Sequence, residues 1–302
     1  MTVIASAPGK IVLSGEYAVL WGAPAVCMAV DRRAVATVQP ADACSLTTPG
    51  FTDSDPFRVV DALSPGGRPA CDITLDTTAF ANNGSKIGLG SSAALTVALA
   101  AALDNSVEIY EQTLAAHKRL QGNSGSGVDV AAAVHGGLLE YSMASREAAS
   151  LPWPNGLAFR VIWTGVPVST GEKLKKLAAQ AGQPAMRSRS ALLLVAPRMA
   201  QAWRSADAGA ILETYVTYIG VLRQFSVDHD LGIFDAGHDK LTDAAMADGL
   251  IYKPSGAGGG DIGMLFGRSD SELDAFLAKR ADLVHRVIAC ELDPDGVRLE
   301  RQ

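Results

Sequence analysis

The sequence predicts an α+β protein of two domains, on three observations. Its 302 residues suffice for two ordinary domains, each able to bury a core. Hydrophobic residues make up 48% and charged residues 19%, a globular composition without disordered bias. Strand-like and helix-like stretches mix without the regular βαβ rhythm of a parallel sheet. A soft boundary is expected near Asn155, giving domains over 1–155 and 156–302.

In chain order, Ile11–Leu20 and Ala25–Gln39 carry β-branched, partly alternating patterns that suit strands, with "WGAP" as the turn between them. Phe51 to Pro69 is rich in Gly, Pro and Asp and reads as loops around "FRVVDAL"; "CDITLDT" then alternates as another strand. Ser92–Leu103 reads as a helix of small residues ended by "DN". A second helix is expected over Ser106–Gln121, and a third over about Val128–His135, stopped by Gly136-Gly137. "LLEYSM" and "FRVIWTGVPV" read as strands. Helical patterns follow near Arg189–Ser205, Ala208–Val227, Asp235–Asp248 and Ser271–Ala281, interleaved with strands "DIGMLF" and "RVIACEL".

Several function classes are disfavoured. The start "MTVIASAPGK" lacks the basic flank and apolar core of a signal peptide, and apolar runs such as "LTVALAAAL" fall short of a bilayer span. Cys27, Cys44, Cys71 and Cys290 are scattered without metal-ligand spacing, as in a reduced, cytoplasmic protein. A net charge of -6 argues against bulk nucleic-acid binding. The expected partner is a phosphorylated or hydroxylated small molecule, with no nucleic acid, no membrane, and a monomer or homodimer as the assembly.

Chemistry concentrates in three glycine-rich loops and one lysine. "KIGLGSSAAL" opens a helix, where unpartnered amides and the helix dipole favour an anion. Its "GLGSSA" imitates a dinucleotide fingerprint, but the preceding "FANNGSK" is polar and turn-forming where a buried strand is required. Lys86, the amides of Gly88, Leu89, Gly90, Ser91, Ser92 and Ala93, and the two hydroxyls suit a polyphosphate with Mg²⁺. The plain alternative is that Ser91 merely caps the helix. "GAGGG" within "KPSGAGGGDIG" carries more glycine than a turn needs, as where backbone approaches a ligand closely. In "QGNSGSGVD", Ser126 and Asp129 form a variant capping box, or else Asp129 is a carboxylate aimed into a phosphate site. Lys10 in "APGKIVLSGEYAVL" is the matching cation, or a solvated strand end.

Together these stretches resemble the GHMP kinases, through "APGKIVLSGEYAVLWGAPAV", "KIGLGSSAAL" and "SGAGGGDIG" in that order. The resemblance implies a two-domain α+β fold with a ribosomal-protein-S5-like N-terminal domain and a ferredoxin-like C-terminal domain. It also implies ATP on the phosphate loop with Ser92 reaching Mg²⁺, and Lys10 and Asp129 flanking the transferring group. Within the family, "HKRLQGNSGSGVD" is similar to the run H-x-x-x-Q-G-x-x-G-S-G-x-D of the phosphomevalonate kinases. Mevalonate kinases usually show histidine where Tyr17 stands. They also place a magnesium-binding glutamate where this chain has Lys118. The implied reaction is ATP-dependent phosphorylation of mevalonate 5-phosphate. The alternatives are a kinase of mevalonate or another hydroxylated metabolite, and a catalytically silent sensor. The acceptor side is expected to use Glu16, Tyr17, Ser124, Ser126, Gly256, Ala257, Gly258 and Arg187. Lys118, Arg119, Arg189 and Lys253 are further candidate cations for its phosphate.

Overall fold

A computed structural model describes residues 1–50, 55–82, 84–122, 125–179 and 183–301, the side chains of residues 183–185 and 301 excepted. The backbone divides into two compact units. The first comprises Met1–Ile11, Met28–Leu139 and Glu291–Gln302, the second Val12–Cys27 and Glu140–Cys290. The expected domains, 1–155 and 156–302, are contiguous stretches, whereas these units are interleaved along the chain.

Strands β1 (Val3–Ser14), β2 (Ala25–Pro40), β3 (Ser45–Thr47) and β4 (Cys71–Asp76) begin the larger sheet. Helix α1 (Arg58–Leu63) lies between β3 and β4 in sequence, and two short strands, β5 (Ala81–Asn82) and β6 (Ser85–Lys86), pair with each other. Helices α2 (Ser91–Asp104), α3 (Tyr110–Leu120) and α4 (Val128–His135) follow, then β7 (Leu138–Ser142) and β8 (Glu147–Leu151). The last strand of the chain pairs antiparallel with β1, Val3 opposite Arg301, which returns the C-terminal segment to the first unit. The order is therefore that strand, β1, β2, β4, β3, with β7 pairing β2 and β8. Ten residues of α2 are buried, most of them alanine, so the helix is enclosed on all sides and its axis is fixed by packing.

The second unit contains β9 (Ala158–Trp163), α5 (Thr170–Ala178), α6 (Gln183–Ser205), α7 (Ala208–Asp228), α8 (His238–Ala247), β10 (Ile251–Pro254), β11 (Ile262–Gly267), α9 (Asp270–Lys279) and β12 (Arg286–Ile288); β13 (Arg298–Arg301) ends the chain. Its antiparallel sheet runs β10-β11-β9-β12. Leu241, Leu250, Tyr252, Leu265 and Phe276 build the core between α8, α9 and this sheet. Among the described residues, no helix is long and apolar enough to cross a membrane.

Most expected elements are present, with instructive differences. The first strand starts at Val3 and stops at Ser14, not Leu20. Gly15 (φ 88°) and Tyr17 (φ 60°) take conformations outside the strand region, and Ala18–Trp21 coil into one 3₁₀ turn. The second helix begins at Tyr110, not Ser106. The Ser106 hydroxyl accepts the Glu108 amide at 3.0 Å, a local turn that competes with helix. "FRVIWTGVPV" is a strand only as far as Trp163, because Gly165 turns at φ 79°. "RVIACEL" is a strand only over Arg286–Ile288.

Candidate active site

The phosphate loop is built on strand β1. A Cβ at Gly9 would lie 2.7 Å from the Leu89 carbonyl oxygen and 2.7 Å from the Phe80 ring, so the loop can reach the strand only over glycine. The approach is fixed by the Lys10 amide donating to the Leu89 carbonyl at 2.8 Å, and by burial of the Leu89 side chain. Gly88 (φ 93°) and Gly90 (φ 78°) then turn the chain into α2. Gly90 is the N-cap, and no side chain caps the helix. Ser91 is thus the first helical residue rather than a cap, which removes the plain alternative for that loop. By helix geometry the amides of Ser91, Ser92 and Ala93 have no carbonyl four residues back, whereas Ala94 bonds Gly90 at 3.2 Å. Ser92 and Lys86 are exposed and Ser91 is half-buried. A Cβ on Gly90 would stand 3.1 Å from Lys10 Cγ, so the lysine stem runs past the start of α2.

Helix α4 repeats the design. Its N-cap is Gly127 (φ 84°), again without a side-chain cap. The Ser126 hydroxyl accepts the Val128 amide at 3.3 Å, a turn local to the loop, and the expected capping box with Asp129 does not form. Asp129 Oδ1 instead accepts the Val130 amide at 3.1 Å, and Oδ2 lies 3.1 Å from His117 Nε2. Burial opposes the charge of Asp129. The field and hydrogen bond of His117, with Lys10 and the Val130 amide behind them, outweigh it and hold the carboxyl well below the usual carboxylate range. Burial likewise opposes charge on His117, but Asp129 raises its pKa overall. The first unit therefore brings Lys10, Asp129 and the amides of Gly88–Ala93 together, while Ser124 lies outside the described residues. Lys118 is half-buried, and the exposed Arg119 spends its guanidinium on the Ala62 carbonyl at 2.6 Å.

Residues expected at the acceptor fall largely in the second unit, where two of them have other work. Glu16 is buried, 2.5 Å from Lys253 Nζ, and its other oxygen accepts the Tyr218 hydroxyl at 2.6 Å. This corrects the expectation for both Glu16 and the candidate cation Lys253, because neither side chain reaches solvent. Tyr17 is also buried. Its hydroxyl donates to the Ala257 carbonyl at 2.6 Å, and burial with Glu16 nearby pushes its pKa up. Tyr17 thereby braces the glycine loop rather than presenting a free hydroxyl. Gly256 and Ala257 are half-buried and Gly258 is buried; Arg187 is exposed on α6. The Arg189 guanidinium stacks 4.1 Å over the Trp21 ring.

Sequence reasoning assigned no role to His117, although it stands in the quoted run, twelve residues before Asp129. It missed Lys173 and His238 altogether. The Lys173 ammonium donates to the Leu231 and Gly232 carbonyls against Gly259, and burial lowers its pKa. His238, fully buried, contacts the Gly260 carbonyl at 3.0 Å through Nε2 and the Tyr252 hydroxyl at 2.9 Å through Nδ1. His238 holds the glycine loop through Gly260, Lys173 holds the Leu231–Gly232 turn that packs against Gly259, and no local pattern marks either.

Chemically, the uncapped start of α2 with Lys10 beside it is an arrangement suited to an anion, whereas the start of α4 is taken up by Ser126 and the Asp129 carboxylate. The exposed Ser92 hydroxyl fits a Mg²⁺ that keeps phosphate oxygens and water as most of its shell. Among the described residues there is no group of three or more His, Cys, Asp or Glu side chains suited to hold a metal.

Residues 57–137, which contain this loop and both helix starts, match the sequence model of the GHMP kinases N terminal domain. A phosphomevalonate kinase of Streptomyces sp. (strain CL190) is 28% identical, covering 87% of this chain and 89% of its own. A mevalonate kinase of Thermococcus onnurineus is also 28% identical, over 86% of this chain and 87% of its own. The structure of Streptococcus pneumoniae phosphomevalonate kinase in complex with phosphomevalonate and AMPPNP superposes with a TM-score of 0.81, 18% identity, and coverage of 96% of this chain and 99% of that one. The chain thus carries a GHMP kinases N-terminal domain over residues 57–137, and along most of its length it is similar to ATP-dependent phosphotransferases of that family.

Proposed function

We propose that the chain transfers the γ-phosphoryl group of ATP to the 5-phosphate of mevalonate 5-phosphate. The observation that carries the acceptor is the state of Asp129, which is held ionised by His117 and Lys10 and is therefore a weak base. A phosphate acceptor suits such a group, since a phosphomonoester is already largely ionised near neutral pH, its second pKa being about 6. The Streptomyces relative supports the same acceptor.

In this reading the amides of Gly88–Ala93 cradle the β- and γ-phosphates, and Lys10 neutralises charge on the transferring group. Asp129 orients Lys10 rather than removing a proton. Ser92 and the nucleotide phosphates would hold Mg²⁺, which when bound neutralises charge between the phosphates. Small water-soluble substrates fit a cytoplasmic enzyme. Mevalonate itself is the second reading, favoured by the equally identical mevalonate kinase relative.

ADP release coupled to a spectrophotometric assay separates these readings, with phosphomevalonate, mevalonate, homoserine and galactose as acceptors. Turnover is expected with phosphomevalonate. Turnover with mevalonate alone establishes the second reading, and turnover with none despite ATP binding overturns both.

A further inference from the structure

His117 sits in the last turn of α3 with its side chain 2% exposed, and faces the first turn of α4. Its Nε2 is the only side-chain partner seen on Asp129 Oδ2 among the described residues, at 3.1 Å, while the Val130 amide engages Oδ1 at 3.1 Å. A carboxylate bonded through both oxygens cannot rotate about its Cβ–Cγ axis without losing one of them. The Val130 bond is built into the helix start, so the contact that the sequence can vary is His117. We propose that His117 is a positioning residue of the phosphoryl-transfer site, donating Nε2–H to Asp129 and thereby setting the carboxylate that faces Lys10. The inference rests on the reading of Asp129 given above.

The proton assignment follows from the partners. An ionised carboxylate only accepts, so Nε2 must carry the hydrogen. Nδ1 is buried without a hydrogen-bond partner among the described residues. A neutral ring protonated at Nδ1 would bury an unpaired N–H and turn a lone pair on the carboxylate, which is the costlier arrangement. The Gln121 side-chain amide also approaches Nε2, at 2.8 Å. Its oxygen and nitrogen exchange places by a half-turn, so it can offer its oxygen to the same N–H. Asp129, His117 and Gln121 thus form a chain from the start of α4 back to the end of α3. Helix α3 itself is held by packing on α1 and α2 and by the Arg58 guanidinium, which donates to the Leu120 carbonyl at 3.2 Å.

Three variants and one spectrum test this, all in the full chain with ATP, Mg²⁺ and phosphomevalonate. His117→Leu removes the donor and is expected to lower kcat about 10²-fold with KM for ATP little changed, as for a misplaced reacting group. His117→Gln places an amide N–H where Nε2 was and should recover kcat to within about threefold of the parent, which a merely space-filling role does not predict. Adding His117→Leu to Asp129→Asn should lower kcat no further, since the two act as one unit. If Asp129→Asn is crippled while His117→Leu matches the parent, the inference fails and the reading of Asp129 stands. If Asp129→Asn is itself fully active, both fail. Should the leucine variant not fold, ¹⁵N imidazole spectra of the parent protein decide: Nε2 protonated at neutral pH is expected, and a bare Nε2 overturns the proposal.

Discussion

Lys253 and Glu16 meet inside the second unit at 2.5 Å with side chains 0% and 1% exposed, whereas in the first unit Lys10 is half-buried beside an Asp129 that keeps 18% of its surface. The first is a direct ion pair and the second a carboxylate within the field of a lysine, and the chain uses them in opposite ways. The buried pair is saturated. Glu16 takes Lys253 and Tyr218, the Tyr218 hydroxyl accepts the Gly15 amide at 2.8 Å, and Ser255 binds both the amide and the carbonyl of Val12. That network fastens Val12–Tyr17 to β10, the residue after it and α7, and its side chains are all buried. The Lys10–Asp129 pair is held at one end by His117 and Val130 and lies among amides that helix geometry leaves unpartnered. Charge sealed from water serves architecture, and charge left at a surface of free donors serves binding.

Breaking one partner of the sealed pair gives the largest expected effect. Lys253→Met strands a buried carboxylate and should lower unfolding stability by about 3–5 kcal/mol, read from urea denaturation, whereas Lys253→Met with Glu16→Leu should recover most of it. Equal stability in the single variant would mean that the pair contributes nothing. The open pair should behave in reverse. Lys10→Met is expected to leave the urea midpoint almost unchanged and to reduce kcat about 10²–10³-fold. A variant that melts early but turns over normally would erase the contrast.

The third test uses pH. His238 is fully buried and burial lowers its pKa from 6.5 to about 4, with the bond to the Gly260 carbonyl only partly opposing this. Between those values the unfolded chain binds a proton that the folded one refuses, so stability falls as pH drops from 6.5 to 4. The full loss is about 3 kcal/mol. His238→Gln should flatten that part of the stability–pH curve, and an unchanged slope would show that His238 does not set it.

What could be read from the sequence was what is local. The turn glycines of "KIGLGSSAAL" and the small residues after them announce a turn into a helix, but that Ser91 does not cap it, and that Gly9 is a point of close approach, are visible only in the fold. The α4 start was equally legible, and its plain capping explanation was excluded only when Gly127 proved to be the N-cap. Long-range partnerships were not legible. Glu16 and Lys253 are 237 residues apart, and a glutamate beside a tyrosine after "SG" looks available for substrate until the fold buries it. His117 was visible as a letter in a motif. Its role depends on α3 and α4 packing end to start, which no spacing states.

The His238 bond to Gly260 also bears on how this protein's chemistry can be measured. A falling rate at acid pH is ordinarily assigned to protonation of a catalytic carboxylate. Here Asp129 stays ionised through that range, while the histidine that fastens the glycine loop is the group being forced to accept a proton. The acid limb of a turnover profile therefore combines strain on a scaffold at His238 with protonation of the acceptor phosphate, whose second pKa is about 6, while Asp129 is silent in it.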